Sequence, residues 1–440
     1  MILKILQRIQ GLLTVDKAPK SVIIPRSKHN ISRKDISPNA LKVLYRLHQK
    51  GYQAYLVGGG IRDLLLGLYP KDFDVATNAT PEQVRAIFRN CRLIGRRFRL
   101  AHVFFGHETI EVATFRKETL ISSPEKTQLI VQDNEYGDLT EDAFRRDFTI
   151  NALYYNIDDF SLVDYHQGLQ DIQTRTLRMI GDPAIRYTED PVRMLRAIRL
   201  AAKCGLTLEK QTQKAIDSIA PQIHQVAPSR LYEEILKLFI TGYGVEVLTR
   251  LLKLELFNQI FPDVAAGFKQ MPWAQQFLMT ALANTDARVA QKKAVIPAFF
   301  FACLLWGPLQ KALAAPSGTL PPLRDFMTAM DQAIDAQMKI LLIPKKVVMI
   351  MQEIYFCYYR MLALRKKQIY RLITHPKFRA GLDFLELVAT VDKEKATIVT
   401  WWQQFLAASE YDQSVLLAKL EQQPKKKKRK KTGKTDTPST

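Results

Sequence analysis

Between residues 37 and 181 the spacing of apolar positions changes repeatedly, and beyond residue 182 it settles into a single helical period. Ser37-Pro38 reads as a helix start, with serine as N-cap and proline at the first helical position. Leu41, Val43, Leu44 and Leu47 then share one face, and Gly51 ends the helix. A short strand at 54–57 runs into Gly58-Gly59-Gly60, followed by a helix at 61–66. The pattern next predicts a strand at 72–76 and a helix at 81–89 begun by Thr80. Strands at 100–105 and 109–115 would be joined through Gly106-His107. Residues 117–140 are polar and read as a loop. Residues 145–155 read as a helix, and 162–165 and 177–179 as extended.

Past Asp182 the stretches 191–203, 211–219, 229–240 and 245–254 all carry helical periodicity, which continues to about Leu420. No repeat of fixed period is present. The fold class is therefore α+β: a mixed head at 37–182, then an elongated all-α part divided into a neck, 183–242, and a body, 243–420. Residues 1–36 form an extension and 421–440 a tail. A chain of 440 residues, 47% of them hydrophobic, is too long for one ordinary core. Mean hydropathy is −0.12, and no apolar run reaches membrane-spanning length. Ile2, Ile5, Leu6, Ile9, Leu12 and Leu13 lie at helical spacing without a small-residue cleavage site, so a secretory signal is not expected. This segment reads as a docking helix or a frayed end, with weak membrane-surface association as the alternative.

Charge adds a partner to this picture. The formal net charge is +21, which points to a polyanion, nucleic acid first and anionic lipid second. After Pro424 the sequence KKKKRKKTGKTDTPST carries +7 of that total and has no apolar face to bury, so disorder is expected there. The remaining +14 marks a basic folded surface. Cys91, Cys204, Cys303 and Cys357 lie far apart, and the seven histidines lack metal-ligand spacing. A disulfide framework and a zinc site are disfavoured, and a reducing cytoplasm fits best.

The segment LVGGGIRDLLLGLYPKDFDVAT, residues 56–77, carries the most chemistry. On a strand, Asp72 and Asp74 share a face while Phe73 points away. Paired carboxylates repel unless a cation sits between them, and Mg²⁺ suits them because it keeps waters and phosphate oxygens as its other ligands. An isolated DxD is common in surface loops, so its context matters. Gly58 and Gly59 follow a strand and open a helix, where their N–H groups can approach a triphosphate; a simple tight turn is the alternative. Arg62 lies one turn further on and could reach a phosphate. Glu111 is the candidate third metal ligand, against an ordinary exposed strand residue.

Two further segments follow. In FRRDFTINALYYNI, residues 144–157, Arg145 and Arg146 precede Asp147, and Asn151 lies four residues later. On a helix these last two could bind a ribose edge or each other. In YTEDPVRMLRAIRLAAK, residues 187–203, Arg193, Arg196, Arg199 and Lys203 form one basic stripe opposite Leu195, Ile198 and Ala202. Glu189 and Asp190 precede it, giving a cluster that could read a base edge. A merely solvated stripe is the alternative.

In this order and spacing the three segments resemble the class II tRNA nucleotidyltransferase and bacterial poly(A) polymerase family over residues 30 to 260. The resemblance implies a DNA polymerase beta-like nucleotidyltransferase head with Asp72 and Asp74 as catalytic metal ligands. It gives Asp147, in RRDFTINAL, a role in the active site, and brings Arg146 and Asn151 with it. It assigns nucleotide recognition to Glu189, Asp190, Arg193 and Arg196. LIGRRFRLAHV, residues 93–103, is similar to the segment that marks the poly(A) polymerase branch, and HPKFRAGLDFLELVA and the basic tail extend that likeness along the chain. The stretch 117–140 departs from the branch in looking compact.

The expected reaction is template-independent transfer of AMP from ATP to an RNA 3′ end with Mg²⁺ as cofactor. It would be carried out by a monomer in the cytoplasm, in contact with the RNA-decay machinery. CCA addition to tRNA is the alternative within the family, and a non-catalytic RNA-binding protein the alternative outside it. The basic stripe, the run at 92–99 and the tail are expected to hold RNA phosphates.

Overall fold

The computed structural model describes residues 20–95, 99–121, 130–313 and 320–421. The N-terminal amphipathic segment, the basic tail and part of the run at 92–99 lie outside the described residues. The described residues form two compact units. The first runs to Leu238 and includes Glu246–Ile260; the second takes Phe239–Val245 and the described residues from Phe261 onward.

The first unit is built on an eight-stranded mixed sheet. In chain order its strands are β1 (Val22–Ile24), β2 (Ala54–Val57), β3 (Asp74–Thr77), β4 (Cys91–Ile94), β5 (Leu100–Phe105) and β6 (Glu108–Thr114). A separate hairpin, β7 (Arg116–Ile121) and β8 (Ile130–Tyr136), follows, and then β9 (Leu153–Asn156) and β10 (Leu162–Asp164) return to the sheet. The spatial order is β1-β10-β9-β2-β3-β6-β5-β4. Every neighbouring pair is antiparallel except β3 and β6, which run parallel.

The helix starts follow from the local chemistry. The Ser37 hydroxyl accepts from the Asn39 and Ala40 N–H groups, opening the helix Pro38–Gln49. Thr80 and Gln83 form a capping box at the start of Pro81–Ile87. These helices bury Val43, Leu44, Leu47 and Val84. On one face of the sheet Val57, Ala76, Tyr154 and Val163 pack with Phe115 and Ala143, the latter from the helix Leu139–Phe144.

Several expectations need correction. The stretch at 117–140 is not simply a loop, because β7 and β8 occupy most of its described part. The two strands pair antiparallel from Arg116↔Tyr136 to Ile121↔Ile130, and their polar residues gave no apolar alternation to mark them. Residues 145–155 are not one helix: a 3-10 turn at Thr149–Asn151 leads directly into β9. Leu153, Tyr154 and Tyr155 are all fully buried, and a short run apolar on both faces cannot be told from a buried helix by period alone. β3 begins only at Asp74, so Asp72 sits in the segment just before the strand. Val22–Ile24, within the stretch read as an extension, is an edge strand of the sheet.

The second unit is helical throughout its described length. Trp306, Tyr355, Tyr358 and Phe384 cluster at its centre, with ring centroids 5.1–6.0 Å apart. Gly381 permits this packing, since a Cβ there would lie 2.5 Å from the Cβ of Cys357. All four cysteines are buried free thiols. Among the described residues no helix is long and apolar enough to cross a membrane.

Candidate active site

The site starts at the turn between β2 and the helix Gly59–Leu65. Gly58 has φ +75°, a left-handed conformation that favours glycine, and a Cβ there would lie 3.5 Å from Asp74 Oδ2. A Cβ on Gly60 would meet the Asp72 carbonyl at 3.1 Å. The glycine turn therefore lies directly against the DxD segment. Arg146 Nη1 faces the same spot, 3.9 Å from where a Gly58 Cβ would be.

Register supplies the next carboxylate. Across the parallel junction Asp74 pairs with Glu111, which pairs onward with His102 and then Arg92. Directly opposed residues share a face, so this row points the acidic pair and the histidine the same way. His102 Nε2 lies 3.6 Å from Glu111 Oε1.

Burial, the Glu111 charge and Asp72 together raise the Asp74 pKa to about 6, with Arg146 opposing them. A partly buried carboxylate flanked by two others is one whose charge awaits a cation, and the donor set is all oxygen, as a hard divalent ion prefers. Among the described residues no three Asp, Glu, His or Cys side chains converge into a ready-made cage. The fit is to an ion that takes the rest of its shell from water and phosphate.

Behind the site stands a buried knot. Asp142 accepts from Arg145 Nε at 2.8 Å, Arg146 Nη2 at 2.7 Å and the Tyr154 hydroxyl at 2.8 Å. Burial alone would raise the Asp142 pKa, but Arg146 and Arg145 outweigh it and hold it at about 2. Arg146 is thus oriented from behind by Asp142 and Tyr154, to which its Nε donates at 2.8 Å. Sequence reasoning passed over Asp142, although its spacing of four from Arg146 was a usable sign.

Asp147 and Asn151 do meet. Asn151 Nδ2 donates to Asp147 Oδ1 at 3.0 Å, through the 3-10 turn rather than a regular helix. Asn151 Oδ1 accepts from Arg62 Nη1 at 2.8 Å. Arg62 is buried and pairs with Asp63, whose other oxygen accepts from Lys203 at 2.8 Å. On the far side Arg196 donates to Asp147 Oδ2 from Nε at 2.9 Å and from Nη2. Burial raises the Asp147 carboxyl pKa, but Arg196 and Asn151 hold it below the ordinary range. Lys203, Asp63, Arg62, Asn151, Asp147 and Arg196 therefore form one continuous polar chain that leaves the helix Val192–Cys204 at Lys203, passes through the helix Gly59–Leu65 and the 3-10 turn, and returns to it at Arg196.

That helix overturns the reading of a free basic stripe. Arg193 pairs with Glu189 at 2.8 Å, Arg196 with Asp147, Arg199 faces Glu234 at 3.9 Å, and Lys203 pairs with Asp63. Met194, Leu195, Ala197, Ile198 and Ala201 are buried, so the helix is enclosed on most sides. Its charges tie it to neighbouring elements.

Glu189 also accepts from Arg186 Nη1 at 3.2 Å, and Arg186 Nη2 donates to the carbonyls of Arg145 and Arg146. Asp190 accepts from Arg230 at 2.7 Å. Arg186 and Arg230, which sequence reasoning missed, link Glu189 and Asp190 to the rest of the unit.

The chain matches the Poly A polymerase head domain family over residues 54–178, and the probable RNA and SrmB-binding site of polymerase A over 205–268. The polymerase A arginine-rich C-terminus matches over 318–435. It is 46% identical to the poly(A) polymerase I of Salmonella typhi over 420 residues, covering 92% of this chain and 90% of that one. The chain belongs to the poly(A) polymerase I family. A second family member, from Haemophilus influenzae, is 43% identical and covers 87% of each chain. Outside the poly(A) polymerase I family, a CCA-adding enzyme of Bacillus pumilus is 34% identical over only 50% of this chain. The solved Bacillus stearothermophilus CCA-adding enzyme in complex with CTP shares the architecture at TM-score 0.58 and 25% identity, covering 84% of this chain and 82% of its own.

Proposed function

We propose that this poly(A) polymerase extends RNA 3′ ends with AMP from ATP, using Asp72 and Asp74, with Glu111 beside them, to hold Mg²⁺. The observation that carries this reading is the in-register pairing of Asp74 with Glu111 against the glycine turn. The 3′-hydroxyl gives up its proton to solvent as its oxygen bonds to the α-phosphorus, the bond from that phosphorus to the α–β bridging oxygen breaks, and pyrophosphate leaves with that oxygen. When bound, the metal lowers the pKa of the attacking hydroxyl and neutralises the leaving group.

The chain's own residues do the positioning. The Gly58 and Gly59 backbone lies close enough to the carboxylates for its N–H groups to receive triphosphate oxygens. Arg146 carries a permanent positive charge beside Asp74. Asp147 acts through Arg196, holding it in one orientation, while Glu189 fixes Arg193. The adenine edge is read by this preset group rather than by free side chains. Recognition at a fixed, hydrogen-bonded rim favours a base with matching donors and acceptors.

CCA addition is the second reading, favoured by the shared architecture with CCA-adding enzymes and by the 34% identity to one of them over half of this chain. Incubating an RNA primer with each nucleoside triphosphate separately tests both. A long ladder with ATP alone supports poly(A) synthesis; one to three additions confined to tRNA would replace it with CCA addition.

A further inference from the structure

Around β4, β5 and β6 the sheet has one covered face and one open face. Ala101, Val103, Ile110 and Val112 are at most 1% exposed, and the helices Pro38–Gln49 and Pro81–Ile87 pack against β6. The residues that alternate with them point the other way. Register sets Ile94 beside Leu100, Arg92 beside His102, and Phe104 beside Thr109 on that second face. None of these side chains is buried, and Ile94 is 46% exposed. The solvated face of a sheet is normally polar, yet this one presents Ile94, Leu100 and Phe104. Arg92 Cζ stands 5.8 Å from the Phe104 ring centroid, and the His102 ring centroid lies 6.3 Å from it.

This face is continuous with the metal site. The Arg92–His102 pair runs on in register through Glu111 to Asp74. Two strand spacings, about 10 Å, separate β5 from β3. The glycine turn lies on the β2 side of Asp74, where Val57 pairs with it, and Glu111 lies on the opposite side, on β6. In an in-line displacement the attacking hydroxyl and the leaving pyrophosphate stand on opposite sides of the phosphorus. With the triphosphate against the glycine turn, the primer end enters over β6, and the nucleotides behind it lie over β5 and β4. Unpaired bases stack on aromatic side chains of open sheets, and basic side chains take their phosphates.

We propose that the open face of β4 and β5 is the track for the primer's 3′-terminal nucleotides, with one base stacked on Phe104 and Arg92 beside the adjoining phosphate. This rests on the polymerase reading of the site and adds the direction from which RNA arrives. Every base has a π-face, so the track holds RNA without reading its sequence.

Fluorescence anisotropy with a labelled single-stranded RNA primer on the full chain, without ATP or Mg²⁺, reads the track independently of which nucleotide is added. Phe104→Leu keeps an apolar side chain and removes the aromatic face; it should weaken primer binding about tenfold, and Phe104→Tyr should retain it. In extension assays the loss should fall on the KM for primer and not on the KM for ATP. A single abasic nucleotide is then moved through the last few positions of the primer. At the position seated on Phe104 it should weaken binding to the parent chain about tenfold and cost nothing further in Phe104→Leu. Unchanged primer affinity in Phe104→Leu overturns the track, and so does a further loss in that variant at every abasic position. Failure of the parent chain to extend any primer would sink the polymerase reading, and is seen separately from these binding results.

Discussion

Asp74 and Glu111 stand opposite each other across the only parallel junction in the eight-stranded sheet. The two carboxylates come from strands separated in sequence by a helix and a hairpin. Alanine at Asp72 or at Asp74 should abolish primer extension while leaving RNA binding largely intact. Glu111→Ala should raise the Mg²⁺ concentration needed for half-maximal rate and lower turnover by about tenfold or more. Activity retained in both aspartate variants would remove this assignment.

Gly58→Ala combines a left-handed backbone with a new methyl group 3.5 Å from Asp74 Oδ2. The backbone strain costs about 1–2 kcal/mol. Turnover should fall well beyond what the lowered melting temperature explains. An equal activity loss for a left-handed glycine outside the site's contacts, such as Gly51→Ala, would reduce the effect to backbone strain.

The pKa of Asp142 is held at about 2 in the folded chain, against an ordinary value of 3.8. A depressed carboxylate contributes stability that is present above the unfolded pKa and is lost as pH falls through the folded one. Asp142→Asn should therefore unfold more easily at neutral pH, by about 3–5 kcal/mol, because Arg145 and Arg146 lose their buried partner. It should also lose less further stability than the parent between pH 4 and pH 2. Urea titrations across that window measure both effects.

Arg196 and Asp147 should be strongly coupled. Either single substitution to alanine breaks a part-buried polar chain, so each costs about 1–3 kcal/mol, whereas the double variant costs less than their sum. ATP-over-CTP selectivity measured on the same variants should fall with Arg196→Ala. Strictly additive effects would separate the two residues.

With the stripe on Val192–Cys204 paired internally, salt-sensitive RNA binding has to come from elsewhere. Residues 425–440 carry +7. Deleting them should flatten the dependence of RNA affinity on salt and weaken primer binding more than turnover at saturating primer. An unchanged salt slope would move the phosphate contacts onto the folded units.

Much of the site was readable from local signals. A strand ending in Gly58-Gly59, a DxD after a short helix, and an arginine-rich helix beyond Pro191 are all near-neighbour patterns. What was hidden depends on distant partners. Lys203 meets Asp63 140 positions away, and Arg196 meets Asp147 49 positions away, so a stripe that looks solvated in isolation is neutralised in the fold. Glu111 stood beside Asp74 only once the parallel register was known. The strand at Leu153–Asn156 was misread because its aromatic run is buried on both faces, which removes the alternation that marks a strand.

The chain of contacts from Lys203 through Asp63, Arg62, Asn151 and Asp147 to Arg196 has a consequence for evolution. Its members are wired in series, so the effect of changing one depends on the state of the others. A lineage that altered nucleotide preference at Arg196 would be expected to shift Asp147 or Asn151 as well, and the order of those steps would matter. On the proposed roles of these residues, such epistasis would make the grip on phosphate and the choice of base inherit together.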